Sequence, residues 1–220
     1  MGTDLFSPIR LSIEVSIVAE LAIISLGILA GRWLARKRHT LSKILIETVL
    51  MLPLVLPPTV IGFLLILVFG KNSLLGHVIY WVFHQPIIFT FWAAVIAATV
   101  VAFPLMFQSV KTGIEAIDQD LEAAARLDGA GEWRVFWSVT LPLASRSILT
   151  GAVLGFARAL GEFGATLMFA GNIPTKTQTI PTAIYVAFDS GNLRVAWTLV
   201  IVTIALSFLM LLSTSLFKKT

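Results

Sequence analysis

Five long apolar stretches dominate this chain: Leu11 to Leu34, Ile44 to Phe69, Pro86 to Phe107, Ile148 to Ala170 and Val195 to Phe217. About 20 apolar residues in a helix match the hydrocarbon core of a bilayer. Inside that core every backbone N–H and C=O must find a partner within the protein, which leaves only helices and closed barrels. Barrel strands would alternate apolar and polar residues over roughly ten positions, and these stretches do not alternate. Hydrophobic residues make up 57% of the sequence and charged residues 13%, with a mean hydropathy of +0.92, which excludes a soluble domain. The expected fold class is all-α, a polytopic helical membrane protein with about five transmembrane helices.

The second stretch contains Pro53, Pro57 and Pro58. A proline has no N–H to donate and its ring crowds the preceding turn, so this span is expected to kink or break between Leu52 and Thr59. A packed kink and a moving hinge both fit that pattern. Orientation follows from Lys and Arg near the span ends, which are retained in the cytoplasm. Arg32, Arg36, Lys37, Arg38 and Lys43 follow the first stretch; Lys111, Arg126, Arg134 and Arg146 follow the third; Lys218 and Lys219 follow the fifth. Only Arg10, Lys71, Lys176 and Arg194 fall on the other side, which places the N-terminus outside and the C-terminus inside. The formal net charge of +4 is mostly this topological signal and makes no case for nucleic acid. The first stretch carries its basic cluster after the apolar run, so it is expected to remain as an anchor and not to be cleaved as a signal peptide.

Catalytic chemistry finds little to work with. The sequence has no cysteine, hence no disulfide, thiolate nucleophile or Cys-based metal site. His39, His77 and His84 are scattered, and no HExxH, GxSxG or paired-carboxylate pattern occurs. His77 and His84 fall in an expected outer loop, where they are either solvated or, on a shared helix face, a metal pair. Gly171 to Thr177, GNIPTKT, ends in Lys-Thr but lacks the second glycine with which a P-loop cradles phosphate. The chain is expected to be a non-catalytic subunit that binds no cofactor or metal of its own; ATP and magnesium, if used, belong to another subunit.

One polar island interrupts the apolar pattern, Asp120 to Pro142, DLEAAARLDGAGEWRVFWSVTLP, on the cytoplasmic side by the charge rule. Asp118 or Asp120 is suited to cap a helix, Glu122 favours its positive start, and Gly129 and Gly131 are suited to end it. The expected result is a short exposed helix from Gln119 to Asp128. Ala123, Ala124 and Ala125 give it a thin body that fits closely into a groove. Trp133, Phe136 and Trp137 follow at helical spacing, a stripe suited to the membrane interface. On these residues alone, a partner-docking helix and a connecting helix held at the headgroups stay equally open.

The pattern E-x-A-A-R-x-x-G-A followed by W-R-x-F and T-L-P, here Glu122, Ala124, Ala125, Arg126, Gly129, Ala130, Trp133, Arg134, Phe136, Thr140, Leu141 and Pro142, resembles the EAA loop of ABC importer permeases. The commonest form of that loop, counted from Glu122, would place its glycine at Asp128; counted back from Leu141-Pro142 it falls on Gly129 with Ala124 and Ala125 as the paired alanines. The resemblance implies that Glu122, Ala124, Ala125, Arg126, Gly129 and Ala130 form a coupling helix seated on a cytoplasmic ATPase dimer. Phe156 to Pro181, with Leu52 to Gly62, is similar to the permeases of molybdate importers and more loosely to sulfate and tungstate permeases. That likeness runs from about residue 10 to the C-terminus. It implies a single transmembrane permease domain over 1–220 with a cytoplasmic coupling loop at 111–142, in a bacterial or archaeal inner membrane. It also implies a homodimer with the pathway between subunits, and an external oxyanion-binding protein as supplier.

Candidate pathway or gate residues are Arg158, Glu162, Thr166, Asn172, Pro57 and Pro58. Arg158 and Glu162 are charged within a span and four apart, hence on one helix face, either as an ion pair that fixes packing or as groups lining the path of a tetrahedral dianion. Asn172, Thr175, Thr177, Gln178 and Thr179 form a polar outer segment between Pro174 and Pro181, either a receiving surface or an ordinary solvated loop. Lys176 to Ser190 leaves room for a sixth, re-entrant helix. The spacings Gly27 to Gly31 and Gly151 to Gly155 permit close helix contact. A secondary transporter or a membrane scaffold is the reading of another class; the first would need a coupling-ion site and usually an internal repeat, and neither is evident.

Overall fold

The computed structural model describes residues 5–38 and 40–217. His39, Lys218 and Lys219 lie outside the described residues. Three helices are each long and apolar enough to cross a membrane: α1 (Phe6–Ala35), α5 (Phe91–Glu115) and α12 (Leu193–Phe217). Two bent pairs bring the number of candidate spans to five. Between them lie α2 (Leu41–Val55), α3 (Pro58–Phe69), α4 (Leu74–Phe83), α6 (Gln119–Leu127), α7 (Glu132–Val135), a π-helical turn at Phe136–Thr140, α8 (Leu141–Leu143), α9 (Ser145–Leu160), α10 (Gly164–Phe169) and α11 (Ile180–Asp189).

The core is α5 held between α1 and α9. On α1 the buried positions Leu11, Val15, Ala19, Ile23, Gly27, Gly31 and Leu34 recur every three or four residues and so form one stripe. On α5 the facing residues are small: Ala93, Ala94, Ala97, Ala98 and Ala102 are all buried. The two glycine spacings lie at these contacts. A Cβ on Gly31 would stand 2.7 Å from Val110 Cγ1, one on Gly27 would stand 2.5 Å from Met106 Cγ, and one on Gly151 of α9 would stand 2.7 Å from Met106 Sδ. Helices in lipid gain little from apolar burial against each other, so this close approach of backbones is what holds them.

The second span is broken, not gently kinked. At Leu56 and Pro57 the chain is extended, with ψ of 143° and 134°, and α3 leaves α2 at 116°. Pro58 opens α3, where its missing N–H is one of the unpaired amides of a helix start. Pro53, by contrast, is accommodated inside α2. The expected fourth span also breaks: α9 stops at Leu160, Gly161 to Phe163 leave the helix, and α10 resumes at Gly164. Glu162 therefore lies beyond the helix that carries Arg158, and the shared helix face expected for the pair does not exist.

Two short helices complete the outline. The expected outer loop after Phe69 contains α4, capped by Ser73, whose hydroxyl accepts from Gly76 N–H at 2.9 Å. His77 Nδ1 lies 2.9 Å from Ser73 O, while His84 ends the helix in the left-handed region at φ 55°, and no metal cluster occurs among the described residues. Helix α11 fills the space left open after Lys176, and its first amide, Ile180 N–H, donates to Ser12 Oγ of α1 at 2.7 Å.

Those contacts define two ends. Ser12 and Arg36 are separated along α1 by about 36 Å at 1.5 Å per residue. Near Ser12 sits α11; near Arg36 sits α6. The start of α2 lies at the α6 end, where Lys43 Nζ is 3.2 Å from Glu115 Oε1 at the close of α5. The end of α3 lies at the other, with Phe69 5.8 Å from Phe169 and Phe89 N–H donating to Phe169 O just before α5 begins. The bent span of α2 and α3 thus leads from one end of the bundle to the other; the second bent pair is Glu132–Leu143 with Ser145–Leu160.

Candidate functional site

Helix α6 forms where its sequence supplies both caps. Asp118 accepts from Asp120 N–H at 3.0 Å, satisfying one of the unpaired amides of the helix start. At the other end Gly129 takes φ +84°, and Ala130 N–H reaches back to Ala125 O at 3.0 Å, a Schellman closure that needs glycine at this position. Gly131, expected to share that role, has an ordinary φ of −68° and opens α7 instead.

The loop is held from inside by Glu122. Its Oε1 accepts from Thr140 Oγ1 at 2.8 Å and from the Arg36 guanidinium of α1, and Arg126 Nη2 stands 3.4 Å from its Oε2. Only 4% of the residue is exposed. Burial by itself pushes this carboxyl up, but the hydrogen bonds from Thr140 and Arg36, with the charge of Arg36, outweigh it and hold the group below the usual carboxylate range. Arg126 also forks onto Glu132, Nε to Oε1 at 2.6 Å and Nη2 to Oε2 at 3.1 Å, which holds Glu132 below its ordinary value. Arg32 donates to Glu132 O and lies 3.9 Å over the Phe136 ring. Of the aromatic stripe, Phe136 is buried beneath that arginine, and only Trp133 and Trp137 face outward.

The motif is thereby divided. Glu122 and Arg126 tie α6 to α1 and to the turn leading into α9, while Leu121, Ala123, Ala124, Leu127 and Gly129 are exposed. Ala125 and Ala130 are half-buried between the two sets. Asp120 and Asp128 flank this apolar face and are exposed as well, so the helix is pinned from behind and open to solvent in front.

A second cluster lies where the two broken spans meet. A Cβ on Gly164 would stand 3.0 Å from Pro58 Cβ, and one on Gly62 would stand 2.6 Å from Met168 Cβ. Arg158 Nη1 lies 2.7 Å from Glu162 Oε2, and Glu162 Oε1 accepts from Ala165 N–H at 2.8 Å, capping α10. Pro57 is exposed, Pro58 half-buried and Thr166 buried. Of the outer segment, Thr177 and Thr179 turn inward: Thr177 Oγ1 accepts from Ile173 N–H, and Thr179 meets Thr182. They are not free to receive a solute, whereas Asn172 Oδ1 is buried with no hydrogen-bond partner among the described residues.

Of the further acidic positions inside the apolar stretches, Glu14 pairs with Arg10 at 2.6 Å near the start of α1, and two others are built into the helix contacts. Glu47 bridges to Lys111 at 3.1 Å in a ring with Lys43 and Glu115 that clamps α2 to α5. Glu20 on α1 is buried, and Oε2 would lie 3.1 Å from a Cβ on Gly155. Their signal is in the sequence, since carboxylates in the middle of a span almost always face the protein interior.

The sequence matches the model of the family described as the binding-protein-dependent transport system inner membrane component over residues 23–219. The chain belongs to that family. It is 58% identical over 210 residues to YvgM of Bacillus subtilis (strain 168), provisionally named a molybdenum transport system permease protein, covering 96% of this chain and 92% of that one. It is 44% identical over 205 residues to the molybdenum transport system permease protein ModB of Escherichia coli (strain K12), covering 93% and 89%. Among solved structures it resembles a bacterial ABC transporter that imports the acidic polysaccharide alginate, with a TM-score of 0.78 at 14% identity over 99% of this chain and 80% of that one. That likeness concerns the all-helical fold alone; it is the family match that makes the chain an inner-membrane permease subunit and not an enzyme.

Proposed function

We propose that this chain is the permease subunit of a molybdate ABC importer, working as a homodimer with two copies of a separate ATPase and supplied by an external oxyanion-binding protein. The cargo rests on the identity to molybdenum permeases along nearly the whole chain. The coupling rests on one observation, the anchoring of α6 through Glu122 to two different helical segments. The ATPase subunits carry ATP and magnesium. Their closure presses on Ala124, Leu127 and Gly129, and the force passes through Glu122 to Arg36 of α1 and Thr140 ahead of α9. Helix α9 ends in the break at Gly161 to Phe163, beside the α2–α3 break, so its displacement reaches the point where both broken spans meet. The pathway then turns from inward-open to outward-open, and hydrolysis resets it. The Arg158–Glu162 pair fixes the joint between α9 and α10.

The test places a large charge on the exposed face without touching the anchors. Ala124→Arg should leave the permease folded and dimeric while its ATPase no longer copurifies and molybdate uptake into proteoliposomes stops. Copurification and uptake at wild-type levels would remove α6 from the coupling path.

A further inference from the structure

Between the inner half of α5 and the start of α9 lies an open cavity of about 360 Å³ lined by Gln108, Ser109, Thr112, Arg146, Ser147 and Thr150. Every lining residue is polar, in a chain that is 57% hydrophobic. No carboxylate is among them. Arg146 is exposed and, like Arg134 and Arg194, has no acidic partner within salt-bridge distance among the described residues, whereas Arg36, Arg126 and Arg158 are each paired; of Arg134, Arg146 and Arg194, Arg146 alone lines this cavity. Its guanidinium is a planar fork of donors that suits the edge of an oxyanion.

The hydroxyls add to it. Gln108 Nε2 donates to Thr112 Oγ1 at 3.3 Å, which leaves the Thr112 proton and the second Gln108 amide hydrogen free for another acceptor. Thr150 Oγ1 spends its proton on Arg146 O at 2.9 Å. Ser147 is brought to the cavity by the absence of a side chain at Gly113, where a Cβ would stand 2.4 Å from Ser147 Cβ. The volume is far above the roughly 30 Å³ that one water occupies in the liquid, so a partly hydrated ion has room.

Position decides what such a site is for. Arg146 follows immediately on the 70° bend between Glu132–Leu143 and Ser145–Leu160, the joint through which the Glu122 loop continues into α9. We infer that this cavity is a low-affinity tetrahedral-oxyanion site at the inner mouth of the permease, with Arg146 as its charged contact and Ser109, Thr112, Ser147 and Gln108 as donors. The inference rests on the importer reading above and adds a way-station to it. Movement of the loop rotates Arg146 relative to Thr112, so the site assembles in one state and opens in the other.

The experiment uses the complete permease–ATPase complex in phosphatidylcholine nanodiscs, which carry no anionic lipid headgroup. Molybdate binding is measured by equilibrium dialysis without nucleotide, for wild type, Arg146→Gln and Arg146→Lys. The expected result is salt-sensitive binding to wild type, weakened roughly tenfold or more in Arg146→Gln and partly kept in Arg146→Lys. Equal binding by wild type and Arg146→Gln overturns the site, as does binding that appears only when phosphatidylglycerol is added, since the cavity would then hold lipid. Uptake with the cognate binding protein separates the two readings. Molybdate uptake by wild type with unchanged KM and kcat in Arg146→Gln removes this site and keeps the importer. Arg146-dependent binding of sulfate but not molybdate keeps the site and removes the molybdate assignment.

Discussion

At the scale of single residues the governing one is Glu122, because it is the point where cytoplasmic loop, first span and the approach to α9 are joined. Its pKa is lowered in the folded protein, so its contribution is fully present above the pKa of an unfolded glutamate, about 4.3, and is lost as pH falls through the still lower folded value. Amide exchange in Gln119 to Leu127 is the readout. Protection should be constant near neutrality and fall in acid below about pH 4, and Glu122→Gln should lose protection at neutral pH by about 2–3 kcal/mol, as expected for hydrogen bonds to a charged group. An acid profile identical in wild type and variant would show that the carboxylate does not anchor the loop. The presence of glutamate here was legible in the motif; its direction was not. A surface role and an inward role share the same spacing, and only the positions of Arg36 and Thr140, distant in sequence, separate them.

At the scale of helices the glycines are of three kinds. Gly31 faces Val110 so closely that any side chain displaces α1 from α5. Gly129 meets nothing within 4 Å but holds φ +84°, and Gly131 meets nothing and has an ordinary backbone. Gly31→Leu should cost about 1–3 kcal/mol as overpacking, several degrees of Tm for a chain of this size. Gly129→Ala should cost about 1–2 kcal/mol, confined to the loop. Gly131→Ala should change neither. Thermal unfolding in detergent orders the three, and equal effects at Gly31 and Gly131 would contradict the close contact of α1 with α5. The five spans and the Gly27 and Gly151 spacings could be read beforehand because apolar length and small-residue period are local properties. The 116° turn at Pro57 and the interruption at Gly161 to Phe163 could not, since a proline or glycine marks only where a helix is weak. How far it bends depends on what packs there, and here each break packs on the other through Pro58 and Gly164.

At the scale of the molecule, the sequence indicates orientation only through its Lys and Arg, and the structure adds a separate argument. The loop at Asp128 and the segment at Lys176 lie at opposite ends of α1, because Arg36 holds the first through Glu122 and Ser12 holds the second through Ile180. A bilayer crossed by α1 must therefore separate them. What the charge rule adds is which side is which: among the described residues nine basic ones (Arg32, Arg36, Lys37, Arg38, Lys43, Lys111, Arg126, Arg134 and Arg146) fall on the Asp128 side against four on the other. The chain has no cysteine, so Asp128→Cys and Lys176→Cys each introduce a single thiol at an exposed position. A membrane-impermeant maleimide should label Lys176→Cys in spheroplasts and leave Asp128→Cys unlabelled. In inside-out vesicles the two should exchange. Labelling of both from the same side would break the five-span topology, and labelling with the sides reversed would put α6 out of reach of any cytoplasmic ATPase. The second outcome would leave the fold intact and remove the coupling mechanism, because α6 would then have no nucleotide-driven partner to receive.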